Sequence, residues 1–132
     1  MKSSAVAAGD NGTISQYNNL RDDAAAAASF IAEAQSSPNM TLKISAGLAY
    51  FGNVRVDYAG GNTSAFTAPS ANPRIDLVCV KSDGTLETIT GTESATPTAP
   101  AYPDSRVVVC EVYHRVGETS IKNTDDSSNG YI

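Results

Sequence analysis

His114 is the only histidine in the chain, so any chemistry that needs an imidazole falls to it. Two cysteines, Cys79 and Cys110, are the candidate nucleophiles. Cys110 and His114 share strand parity, yet four residues of strand hold them roughly 13 Å apart, beyond the reach of a nucleophile and its base. Cys79 could meet His114 only from a neighbouring strand. Against such a dyad stands the simpler expectation that His114 is a polar strand residue at the domain surface. Both cysteines lie in strongly apolar runs, where thiols behave as small buried hydrophobes. A disulfide between adjacent strands is the alternative, disfavoured by cytosolic synthesis. Two cysteines and one histidine do not make a zinc site without further ligands.

The acid pairs Asp22/Asp23 and Asp125/Asp126 could suggest metal or glycosidase work. Neighbours on a helix, Asp22 and Asp23 point in different directions. Asn123, Asp125, Ser127 and Asn129 alternate like the oxygen ligands of a calcium loop, but Gly130 is misplaced and no glutamate closes the loop. A solvated tail is the expectation there. No phosphate-binding Gly loop, Gly-x-Ser-x-Gly elbow or Cys-x-x-Cys occurs. The reading is of a non-enzyme with no metal and no cofactor. Tyr50, Tyr58, Tyr102 and Tyr113 could stack on sugars, but tyrosines alternating along strands more often form core or cross-strand pairs.

The elements that must position these residues begin with Thr13–Ser36, TISQYNNLRDDAAAAASFIAEAQS. Tyr17, Leu20, Ala24, Ala27, Ile31 and Ala34 recur in steps of three and four, one stripe of a helix over residues 13–36. Thr13 and Gln16 form a capping box at its start, and Pro38 follows its end. The stripe is the candidate packing and oligomer interface. Its alanines permit close approach, either to the chain's own β domain or to a sister chain. Residues 1–12, polar and glycine-containing, read as an extended arm.

Residues 41–132 change to β-branched runs broken by Gly, Pro and Asn. Strands are expected at Thr41–Ala46 and Leu48–Tyr58, the latter split near Gly52-Asn53. A short edge strand is expected around Phe66. RIDLVCVK (Arg74–Lys81), apolar on both faces at its centre, reads as a central strand. Ser82-Asp83-Gly84 turns it into Thr85–Thr90. Pro97, Pro100 and Pro103 make the following stretch an extended crossover, before the long run Arg106–Val116. The fold class is mainly β, a single antiparallel sandwich or barrel-like domain with one N-terminal helix.

At 132 residues, one domain with a core of its own is expected. A net charge of −5, with nine basic residues scattered singly, leaves no footprint for nucleic acid. No apolar run is long enough to span a membrane, and MKSSAVAAGD is too short and polar for a secretory signal. Asn11, Asn39 and Asn62 open glycosylation-like triplets, read as turn chemistry.

Two stretches carry a resemblance. GDNGTISQYNNLRDDA resembles the Thr-x-x-x-aromatic-Asn-x-Leu-Arg-x-Asp segment that opens many bacteriophage tail-fibre, baseplate and other virion structural proteins. Residues 54–103 resemble the small β domain that follows it there, with a Gly-rich turn, the strand entry APSANPRID and a hairpin from Gly84-Thr85 to Gly91-Thr92 in the same order. The resemblance implies a virion structural protein, assembled in the host cytoplasm. The expected partners are copies of itself, usually in a symmetric and often trimeric appendage, together with other virion proteins. A capsid decoration protein, or a module that binds a host-surface glycan, is the alternative. The family's motifs carry no catalytic residues to transfer.

Overall fold

A computed structural model describes residues 29–132. The expected arm, helix residues 13–28 with Tyr17, Leu20, Ala24 and Ala27, and the pair Asp22/Asp23 lie outside the described residues. What is described is built from strands, in three sheets of which none closes.

The expected helix does not reach Ser36. Ser29 and Phe30 form a turn, with Phe30 in the left-handed region at φ 55°. Ala32–Ala34 is then a strand, β1, antiparallel to β2 (Leu42–Ile44) through Ala32↔Ile44, Glu33↔Lys43 and Ala34↔Leu42. Alanine's helix propensity is a weak prior, and the ladder with β2 overrides it. Ile31 and Ala34 therefore sit in extended chain, where an odd and an even position face opposite ways. Neither continues a helical stripe. Pairing β2 with the two-residue β5 (Gly61–Asn62) completes a three-stranded sheet.

Gly47–Phe51 (β3) and Val54–Tyr58 (β4) form a two-stranded ribbon turning at Gly52-Asn53. Gly52 has φ 65°, the left-handed turn conformation glycine adopts without penalty. The expected edge strand around Phe66 is absent. Phe66 instead holds its loop down as a buried side chain, 7% exposed, while its N–H bonds to Met40 O at 2.7 Å.

The larger sheet runs β7-β6-β8-β10-β9, where β6 is Arg74–Lys81, β7 Leu86–Ile89, β8 Arg106–His114, β9 Ile121–Lys122 and β10 Gly130–Tyr131. Its long pair β6/β8 is antiparallel, with a bulge between Val78 and Cys79. The expected solvated tail is ordered: β9 and β10 pair in parallel, so the sheets are not purely antiparallel. Ile121 explains the anchoring, since it is fully buried and joins Leu42, Ile44, Phe66, Val78 and Val112 in one core cluster. That core draws on both the three-stranded and the five-stranded sheet.

Candidate functional site

Strand alternation puts Arg74 and Asp76 on one face of β6, and the register sets His114 of β8 opposite Arg74. Glu118 follows β8 after a turn at Val116-Gly117. These four side chains meet inside the protein. Asp76 is 1% exposed and His114 0%, while Arg74 and Glu118 are also buried. His114 is thus not a surface residue, contrary to the sequence expectation. It lies between two buried acids, Asp76 and Glu118.

The contacts are saturated. Asp76 Oδ1 accepts from Arg74 Nε and from the Gly91 N–H, each at 2.8 Å. Its Oδ2 lies 3.2 Å from Arg74 Nη2 and 3.1 Å from His114 Nε2. The Nε2–H is angled away from that oxygen, so this contact is a charge pair and not an aligned hydrogen bond. On the other side of the ring, Nδ1 meets Glu118 Oε2 at 2.5 Å. Glu118 Oε1 accepts the Arg115 N–H at 2.7 Å. Arg74 Nη2 also donates to Thr67 O. The Phe66 ring packs on the imidazole with centroids 5.0 Å apart.

Electrostatics follow from this geometry. Burial pushes the His114 imidazole towards its neutral form, but Asp76 and Glu118 outweigh it and raise its pKa above the ordinary 6.5. Burial likewise pushes the Asp76 carboxyl up, and the neighbouring His114, with the bonds from Arg74 and the Gly91 N–H, reverses that, holding it at about 2. Protonation of the imidazole thus places a positive charge between two acids inside the protein.

Two glycines let the backbone approach. A Cβ on Gly91 would stand 1.9 Å from Ile75 O, and one on Gly130 would stand 2.6 Å from Glu118 Oε1. The crossover is pinned beside the cluster as well. Glu93 accepts the N–H groups of Ser70, Ala71 and Asn72 at 3.0–3.1 Å, and Ser94 N bonds to Pro73 O at 2.9 Å.

Chemically, the arrangement is a lock. Both ring nitrogens of His114 face carboxylates, and both Asp76 oxygens are taken, so neither group offers a free lone pair to a substrate. A cavity of about 230 Å³ borders Arg74 and Asp76, whose charged groups are already paired with each other. The two carboxylates flank opposite sides of the imidazole and cannot converge on one ion. Accordingly, no cluster of three or more His, Cys, Asp or Glu among the described residues is placed to hold a metal.

The other sequence candidates are dispersed. Cys79 stands opposite Val108, remote in register from the Arg74↔His114 pair, and Val78 faces Cys110. Both thiols are free. Burial pushes the Cys79 thiol up and the Cys110 thiol to about 12, so neither is a ready nucleophile. Asp125 is held by Arg115 at 2.9 Å and Asp126 by Lys122 at 3.0 Å, a clip of ion pairs in place of a calcium loop. Asn39 closes an Asx turn on the Thr41 N–H, as its turn reading implied. Tyr50 and Tyr102 are 64% and 60% exposed, whereas Tyr58 and Tyr113 are half-buried.

Sequence reasoning placed the strands carrying the quartet but missed the quartet itself. One signal was present: Arg74 and Asp76, two apart, put two charges on one face of an otherwise apolar central strand. Charges there require buried partners.

No helix among the described residues is long and apolar enough to cross a membrane. No family model matches the chain, nor does any curated protein or any solved structure.

Proposed function

We propose that the chain is a structural assembly module of a bacteriophage particle, a non-enzymatic subunit of a tail fibre, baseplate or similar appendage that joins copies of itself, as a trimer, and other virion proteins. The reading rests on the resemblance of residues 9–24 and 54–103 to such proteins. The observation that carries it in three dimensions is the open-edged sheet arrangement. Among the described residues, β7 has a strand neighbour on one side only, and so does each strand of the β3–β4 ribbon. Unpaired edges are templates for pairing with another chain. A two-stranded ribbon standing alone is marginal in water, and further strands stabilise it. Leu42 and Ile44 of one sheet pack with Val78 and Val112 of the other, so we read the module as a small two-layer sandwich.

The quartet fits the same role. Its imidazole and acids hold the crossover, β6, β8 and the tail together, giving a rigid body for assembly. The test is electron microscopy of virus particles labelled with antibody to the full chain. Label at repeated, symmetry-related positions is expected. Recovery of the chain only from the soluble fraction of infected cells would overturn the proposal.

A further inference from the structure

An open cleft of about 500 Å³ lies between the tip of the β3–β4 ribbon and the start of β8. Tyr50 and Phe51 border it on one side, and Ser82, Ser105 and Arg106 border it on the other. None of these residues takes part in the buried quartet. We propose that this cleft binds a neutral pyranose sugar.

Four observations carry the assignment. Tyr50 presents a ring that is 64% exposed, an apolar face with a polar tip, which suits the C–H face of a pyranose. Arg106 is held rigidly at the opposite wall: Nε binds Glu87 Oε1 at 2.6 Å and Nη1 binds Ser105 O at 3.0 Å. Its Nη2 has no acceptor among the described residues, leaving two N–H donors in a fixed planar group. Ser105 is left-handed at φ 58°, a conformation that residues with a side chain rarely adopt. That turn delivers the Ser105 carbonyl to Arg106 and so fixes the guanidinium. The Ser82 and Ser105 hydroxyls each donate and accept, as sugar hydroxyls require.

Charge decides which sugar. Glu87 neutralises Arg106 at close range, so the wall supplies a donor without net positive charge. A carboxylated sugar would meet Glu87 beside Arg106, the one cation lining the cleft, and gain little. The ligand is therefore uncharged. This site does not depend on the assembly proposal, since a monomer would carry it equally.

Saturation-transfer NMR on the full chain tests it, using methyl glycosides of glucose, galactose, mannose and N-acetylglucosamine, with methyl glucuronide as the acidic arm. Transfer to the ring protons of at least one neutral glycoside is expected. It should fall at least fivefold in Tyr50→Ala and in Arg106→Lys, which keeps the charge opposite Glu87 but loses Nη2. Tyr50→Phe, which keeps the ring, and Tyr102→Ala, at an exposed tyrosine outside the cleft, should retain it. Tyr50 is exposed, so its replacement leaves the core intact. No transfer from any neutral glycoside, transfer from the glucuronide alone, or transfer unchanged in Tyr50→Ala would overturn the proposal.

Discussion

At the residue scale, the chain commits its single histidine to holding two buried acids. The cost of removing one member follows from what remains. Asp76→Ala would leave Arg74 and His114 without their shared counter-charge, and breaking a buried pair from one side typically costs about 3–5 kcal/mol. Urea unfolding should show a midpoint lowered to match; a loss under 1 kcal/mol would mean the network is solvated. The pH dependence has two arms. Asp76, held at about 2, contributes stability that is present above its unfolded pKa and lost as pH falls through about 2. His114, raised above 6.5, contributes stability that is full below that value and lost as pH rises through the folded pKa. Stability from the quartet should therefore peak between roughly pH 4 and 6.5. Urea midpoints measured across pH should fall on both sides of that window, and His114→Gln should flatten the alkaline arm. An alkaline arm unchanged in that variant would contradict the assignment.

Elements differ in how openly the sequence announced them. β6 and β8 were legible because long β-branched runs between turn signals have few other outcomes, and the ribbon was legible from alternation about Gly52-Asn53. β1 was not. Ala34 continues a helical spacing from Ile31 and a strand spacing from Ala32 equally well, and only the ladder to Leu42–Ile44 decides between them. β9 and β10 are too short and polar to carry a periodicity, and Ile121 alone hints at burial. The quartet was half-visible in Arg74 and Asp76, but Glu118 joins it through a turn that no spacing reveals. Two variants test the elements. Glu33→Thr, at an exposed position of β1, should stabilise by a few tenths of a kcal/mol in a strand and destabilise similarly in a helix. Thermal melts of the full chain decide between these outcomes. Gly91→Ala should cost about 1–3 kcal/mol or more, because its Cβ would overlap Ile75 O and push the crossover off Asp76. A neutral melt for that variant would refute the close approach.

On the scale of the whole molecule, the interior is closed and the periphery is not. The core cluster and the quartet fix β6, β8, the crossover and the tail as one body. Val54, Tyr102 and Val116, by contrast, leave apolar surface exposed outside it. Open edges and exposed apolar side chains are what an assembly unit presents to its neighbours. Under the proposed assembly, folding and association are linked, because association of native chains stabilises the native state by mass action. Sedimentation velocity of the full 132-residue chain over a hundredfold range of concentration tests this most directly. A species of three chains that grows with concentration, accompanied by a rising melting temperature, is the expected result. A folded monomer at every concentration, with an unchanging melt, would contradict it.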